Sequence, residues 1–283
     1  MEKLILLADA HADLPALQAV LQAAERAHPD RILSLGDQVN LGPCPRECLS
    51  LLREHHVTCL HGNHERYLLS VMRGEPGYEG ANFASLRFFS QLLKEEEITF
   101  PESLRIGDVL FTHAMPGDDR FPVHLPDRAL PRLRERDERP IRHIICGHGH
   151  DPRHYLLPGL TVDVVGSCGS MDDGLPGMAC YAELLIDGDS LCLTPRFASF
   201  DPRALRPLFL SSGYAEACPI MARVICTQME TAHALLVPFV EHADALAKAR
   251  GERVMSPETW READRTFPWP DGRTTAAFWR GSI

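Results

Sequence analysis

Short apolar runs alternate with amphipathic ones through the first third of the chain. Residues 3–8 read as a buried strand, 31–35 as a second and 57–60 as a third. Between them, residues 15–27 have helical spacing, with Leu17, Val20, Leu21 and Ala24 on one face. Residues 45–55 form a second amphipathic run, with Pro45 suited to a first helical turn. A further helix is expected after His64. Strand–helix alternation of this kind predicts parallel strands joined by right-handed crossovers. Residues 82–94 look helical, and 108–112 and 142–146 look like buried strands. The proline- and charge-rich residues 115–140 read as a surface excursion with a short helix. From 155 to 195 the pattern is strand, turn, strand, with Asp187–Gly188 as a hairpin turn. The expected class is mixed α/β with late antiparallel strands. After Ser199 the character changes: residues 200–283 hold Trp260, Trp269 and Trp279 and a long helical stretch, 229–250, with a kink expected at Pro238.

Each apolar strand runs into polar residues that a buried strand does not need. The first ends in Asp9-Ala10-His11, the second in Gly36-Asp37 and the third in Gly62-Asn63-His64-Glu65. The fourth ends in Thr112-His113 and the fifth in Gly147-His148-Gly149-His150. Ligands of open parallel sheets bind beyond the carboxyl ends of the strands. Five strand ends would therefore bring carboxylate, amide and imidazole groups to one rim. That donor set suits Mn, Fe, Co, Ni or Zn, and with no cysteine among the donors it does not suit a thiolate zinc site. Asp13, just before Pro15, reads as a helix N-cap.

Length and composition bound the alternatives. The 283 residues accommodate one large domain or two small ones, and the 45% hydrophobic and 24% charged content is that of a globular chain. No apolar run approaches a membrane span, and the apolar start is too short for a signal-peptide core. The nine scattered cysteines, without CxxC, fit a reducing cytoplasm. The net charge of −10 shows no basic footprint for nucleic acid. There is no P-loop, no GxGxxG and no GxSxG, so neither a glycine-rich nucleotide cradle nor a serine hydrolase elbow is supported.

The ordered set Asp-x-His, Gly-Asp, Gly-Asn-His-Glu, His and Gly-His-x-His resembles the calcineurin-like metallophosphoesterase superfamily, in its small bacterial members. The flanks agree: ADAHADLPAL, GDQVNLGPCPRECLSLLRE, VTCLHGNHE, FTHA, GHGH and the glycine-serine turn VVGSCGSMDDG. The resemblance covers residues 1–195. It implies a four-layer α-β-β-α sandwich of two mixed sheets flanked by helices. Residues 1–199 would be the metallophosphoesterase domain, and 200–283 an additional, mainly helical C-terminal extension that serves as cap, packing element or dimerisation surface. It also implies two divalent transition metal ions, one held by Asp9, His11, Asp37 and His150 and the other by Asp37, Asn63, His113 and His148, with Asp37 bridging. His64 would face the leaving oxygen. Two departures stand out: Ala12-Asp13 where the family often has Gly-Asn, and Glu65 where it often has Asp. The role of Glu65 is left open by the resemblance.

The implied activity is phosphoester hydrolysis, as phosphatase or phosphodiesterase, by a metal-bridging hydroxide. Two divalent ions, the two aspartates and that hydroxide leave about one positive charge to receive a phosphoryl group. The substrate would be a phosphorylated small molecule, a nucleotide among the options, with Arg66, Arg120 and Arg153 as candidate phosphate grips. Within the superfamily the alternatives are a nucleotide or dinucleoside polyphosphate hydrolase and a non-catalytic metal-binding scaffold. Outside it stand a mononuclear iron oxygenase using His11 and Asp13, which the strand–helix alternation disfavours, and a protein-interaction module made of the tail. The tryptophans leave a homodimer open.

Overall fold

A computed structural model describes residues 1–114, 140–169, 172–188 and 190–280. The expected excursion at 115–140 therefore falls, but for its last residue, outside the described residues, as does Arg120. Two five-stranded mixed sheets, flanked by helices, face each other. The first has the order β10-β9-β1-β2-β3 and the second β4-β5-β6-β8-β7. In the first sheet β1 (Glu2–Leu7), β2 (Arg31–Ser34) and β3 (Thr58–Cys59) run parallel. The hairpin of β9 (Met178–Asp187) and β10 (Ser190–Ser199) adds to β1 antiparallel. In the second sheet β5 (Val109–Thr112), β6 (His143–Cys146) and β8 (Leu160–Val164) run parallel, edged by antiparallel β4 (Ser103–Ile106) and β7 (Arg153–Leu157). The α/β sandwich is thus as the strand pattern and the resemblance imply.

β1 shows why the sequence runs apolar without a break. Leu4, Leu6 and Ala8 meet Val109, Phe111 and Ile145 of the opposite sheet, while Ile5 and Leu7 meet helix α1 (Leu14–Ala27). A strand buried on both faces has no polar positions to alternate. The face of α1 that buries is Leu17, Val20, Leu21 and Ala24, with Ala16 beside them. Asp13 caps this helix by accepting from Ala16 N at 3.0 Å, an arrangement that contributes about 1 kcal/mol.

Helix α2 (Pro45–Glu54) follows β2, and α3 (Asn63–Met72) begins directly after β3. The helix expected over 82–94 is shorter: α4 spans Ala84–Ser90, flanked by single 3-10 turns. Beyond β10 come α5 (Leu205–Ser211), α6 (Tyr214–Ala217), α7 (Pro219–Thr231), α8 (Leu236–Ala249), α9 (Pro257–Thr266) and α10 (Thr275–Arg280). The single kinked helix expected at 229–250 is two helices. α7 ends at Ala232, whose φ of 48° is left-handed, and α8 starts anew, so Pro238 sits in its first turn, where a missing N–H costs nothing. No described helix is long and apolar enough to cross a membrane.

The C-terminal helices are part of a continuous apolar cluster. Leu68, Leu69, Leu86 and Phe89 of α3 and α4 share it with Phe209, Tyr214, Ile225, Phe239 and all three tryptophans. Each tryptophan is under 10% exposed. Inside this cluster the Arg223 guanidinium is sandwiched over Trp269, 3.7 Å from its centroid, and bonded to Asp271 at 2.7 Å. A chain ended after Ser199 leaves the α3–α4 side of this cluster open to water. It should be insoluble or lose cooperative urea unfolding; a soluble fragment with a sharp transition would show the cluster to be dispensable.

Candidate metal centre

The polar residues predicted at the strand ends meet at one seam between the two sheets. Asp9 and His11 follow β1, Asp37 follows β2, and Asn63 and His64 open α3 after β3. His113 follows β5, and His148 and His150 follow β6. All of these strands are parallel within their sheets, so their carboxyl ends share one rim.

Unusual backbone puts the side chains there. Among the described residues, eight of the eleven non-glycine positions with positive φ lie at this rim: Asp9, His11, Ala12, Asp37, Asn40, Leu41, His148 and His150. Asp, Asn and His tolerate the left-handed region better than most residues, yet such conformations persist only where surroundings enforce them. Here the loops are stitched together. Asp9 N donates to Gly36 O at 3.0 Å, His11 N to Asp37 O at 2.9 Å, and Cys168 N, in the segment that follows β8 of the other sheet, to Ala8 O at 2.8 Å. Gly62 and Gly36 are among the glycines required by close approach. A Cβ at Gly62 would stand 2.2 Å from Asp37 Oδ1, and one at Gly36, whose φ is 104°, would stand 2.5 Å from His113 Nδ1.

Among the described residues, three groups of donor atoms each lie within 4.8 Å of one another: Asp9–His11–His150, His11–Asp37–His64 and Asp37–His113–His148. His11 Nε2 is 3.2 Å from His150 Nε2, which is 3.7 Å from Asp9 Oδ1. Two ligand atoms bound at about 2.1 Å to one cation stand about 3.0–3.4 Å apart, so the His11–His150 spacing is that of co-ligands. His113 points its Nε2 at Asp37 Oδ2 (3.2 Å) and at Asn63 Oδ1 (2.9 Å). Its Nδ1 donates to Leu35 O at 2.9 Å. A neutral imidazole with its hydrogen on Nδ1 has only a lone pair left at Nε2. Three acceptor atoms then converge, and only a proton or a cation at that point relieves them. The donor set therefore fits a bound cation.

The electrostatics agree. Burial opposes charge on Asp37, but His113, His64 and His11 outweigh it and hold the carboxyl well below its usual range. Burial pushes Asp9 up to about 6, against the pull of His150 and His113. Burial also works against charge on His113, yet the Asp37 carboxylate raises it to about 10. His150 rises to about 9, because Asp172 and Asp9 outweigh its burial. His148 falls to about 4, through burial and the proximity of His113.

His64 is placed differently. Asn40 Nδ2 donates to its Nδ1 at 2.7 Å, so the neutral ring carries its hydrogen on Nε2. That atom lies 3.9 Å from Asp37 Oδ2. Burial, reinforced by His113 and opposed by Asp37, lowers its pKa. The ring of His64 packs against His11, with centroids 4.7 Å apart.

Glu65 is fully buried and binds backbone. It accepts from Gln38 N at 2.8 Å, Gly62 N at 2.9 Å, Asp37 N at 3.0 Å and Val39 N at 3.3 Å. One carboxylate thus ties the Asp37 loop to the start of α3. The sequence left this role open, and it missed three others: Asn40, which orients His64; Ser167, whose Oγ donates to Asp9 O at 2.9 Å; and Asp172, beside His150. Asn40 sits in a loop where no periodicity marks it, and Asp172 is adjacent to His150 only through the fold. Of the candidate arginines, Arg66 is close enough to His64 to influence its charge. Arg153 heads β7 at the surface, with its guanidinium 3.2 Å from Asp151, and no described contact joins it to the cluster.

This fold, with carboxylates and imidazoles gathered at the ends of parallel strands, defines an α/β sandwich with a candidate metal site. The sequence pattern of the Calcineurin-like phosphoesterase superfamily domain matches residues 2–186, and the chain belongs to that superfamily. An uncharacterized protein of Methanocaldococcus jannaschii is 28% identical over 161 residues, 52% of this chain. The chain spans only 61% of the length of that curated relative. The metallophosphoesterase of Sphaerobacter thermophilus shares the fold at a TM-score of 0.62 and 22% identity, covering 81% of this chain and 99% of its own. A hypothetical protein from Pyrococcus horikoshii does so at 0.60 and 17%, covering 78% and 98%.

Glu65→Gln turns one acceptor oxygen into a donor facing backbone N–H groups. Metal-free protein carrying it should lose about 1–3 kcal/mol in urea unfolding; unchanged stability would remove Glu65 as the tie.

Proposed function

We propose that this chain is a metal-dependent phosphoesterase with two divalent ions. Asp9, His11, Asp37 and His150 hold one ion, and Asp37, Asn63, His113 and His148 hold the other. The observation that carries this is the position of Asp37. Its Oδ2 is 3.2 Å from His113 Nε2 on one side and 4.0 Å from His11 Nε2 on the other, so one carboxylate serves both donor groups. Two bound ions supply a water of lowered pKa and positive charge for the phosphoryl oxygens.

The chain's own residues do the rest. Asp9 and Asp37 leave the site with net positive charge when loaded, so it attracts an anionic phosphoester. His64 presents its Nε2 hydrogen beside Asp37 and donates to the leaving oxygen. Asn40 keeps that tautomer, since a flipped ring would lose the Asn40 bond. Arg66, next to His64 and Glu65 on α3, adds positive charge on the leaving-group side, and Arg120 is proposed as a further phosphate grip. The substrate is a phosphorylated small molecule. A panel of aryl phosphates, bis-aryl phosphates, nucleotides and dinucleoside polyphosphates, run with manganese, nickel, iron and zinc, separates monoesterase, diesterase and polyphosphate hydrolase.

His64→Ala should keep both ions and lose about 10²–10⁴-fold in turnover; full turnover would remove His64 from the reaction. Asp37→Asn should lower the content of both ions together, read by elemental analysis, and normal content would refute the shared ligand. The pH dependence has a defined sign. Without metal, His113 and His150 hold protons at neutral pH, and a cation must displace them. Manganese uptake should acidify an unbuffered solution and weaken as pH falls from 8 to 6; pH-independent uptake without proton release would contradict this ligand set.

A further inference from the structure

His150 is steadied by Asp172, inside the region matched by the superfamily domain, and Asp172 in turn by Gln228, beyond that region. Its Nδ1 lies 3.4 Å from Asp172 Oδ1. A carboxylate only accepts, so Nδ1 carries a hydrogen, and once a cation displaces the proton on Nε2 that atom offers its lone pair toward His11 and Asp9. The same Asp172 oxygen accepts from Gln228 Nε2 at 3.2 Å. Gln228 lies on α7, only 2% exposed. Its Oε1 accepts from the backbone N–H groups of both Leu235 and Leu236, at 2.8 Å each. Two donors on the oxygen leave the amide one orientation, with its nitrogen facing Asp172. A backbone bond and a side-chain contact hold the two segments together as well: Gly174 N donates to Ala232 O at 2.9 Å, and His233 Nδ1 lies 3.1 Å from Asp173 Oδ1.

We propose that Asp172 and Gln228 are positioning residues through which the C-terminal helices set the affinity of the ion held by His150, and of that ion alone. The Asp172 side chain is 43% exposed, and unassisted it could swing into water. The rigid, buried Gln228 amide selects the rotamer that meets His150. A carboxylate behind a ligand histidine fixes its tautomer and ring plane and raises its basicity. The other donor group is reached by no such contact among the described residues, because His113 is oriented by the Leu35 carbonyl within the sandwich itself. The α7–α8 turn, which supplies Leu235 and Leu236, is thereby linked to one half of the metal centre.

This proposal rests on the two-ion reading, and the experiment separates their failures. Manganese binding to metal-free, full-length protein is followed by calorimetry for wild type, Asp172→Ala, Asp172→Asn and Gln228→Glu, with the melting temperature of each metal-free protein alongside. Gln228→Glu keeps an oxygen for Leu235 and Leu236 but sets a carboxylate against Asp172. Asp172→Ala and Gln228→Glu should each weaken one of the two ions about 10–100-fold and leave the other unchanged. Asp172→Asn, which keeps an acceptor for His150, should restore part of the loss. Asp172→Ala and Gln228→Glu combined in one chain should be no weaker than the worse of the two alone, since both act through one contact. Wild-type affinity for both ions in Asp172→Ala overturns the proposal, as does equal weakening of both ions. Should Gln228→Glu fail to fold, the Asp172 pair decides alone. Wild type that takes up no manganese instead defeats the two-ion reading.

Discussion

Two carboxylates and several imidazoles share a space from which water is excluded: Asp9, His11, Asp37 and His113 are each at most 1% exposed. Removing one ionised group from water costs several kcal/mol unless partners compensate. Much of the surrounding structure reads as that compensation. The His148 N–H donates to both oxygens of Asp9, at 3.0 and 3.2 Å. The His64 N–H, at the start of α3, donates to Asp37 Oδ1 at 2.8 Å. The positive-φ residues, the glycines at 36 and 62 and the buried Glu65 all keep these donors aimed. What remains is the convergence of His113 and His150 Nε2 on neighbouring acceptor atoms, where protons sit until a cation displaces them, and that is the feature that suits a cation.

The sandwich makes this convergence possible. Three parallel strands in each sheet point their carboxyl ends at one rim, and the apolar layer between the sheets sets their separation. Backbone bonds at the seam, such as Cys168 N, from the segment between β8 and β9, to Ala8 O, tie the rim segments together. The C-terminal helices then pack on α3 and α4. Their reach to Asp172 means that the helical region is both packing and, by our proposal, part of the metal environment.

Among the described strands, all but β4 and β7 fall on or close to a run that the sequence reading marked, and β1, α1 and the Asp13 cap need no correction. Where the reading slipped, a local signal was ambiguous. Proline can kink a helix or start one, and at Pro238 only the left-handed Ala232 upstream tells which. α4 ends at Ser90 although apolar spacing continues, because the chain turns there to bring Leu93 and Ile98 into the cluster.

The chain by itself determined the class of fold and the residues that gather at the rim. Strand periodicity, turn glycines and the polar caps of apolar runs are local properties, written in consecutive residues. It did not determine which nitrogen of each imidazole faces inward, that Glu65 serves four backbone amides, or that Asp172 and Gln228 stand behind His150. Those depend on contacts between residues far apart in sequence, and hydrogen-bond geometry exists only once the sheets, loops and C-terminal helices have closed on one another.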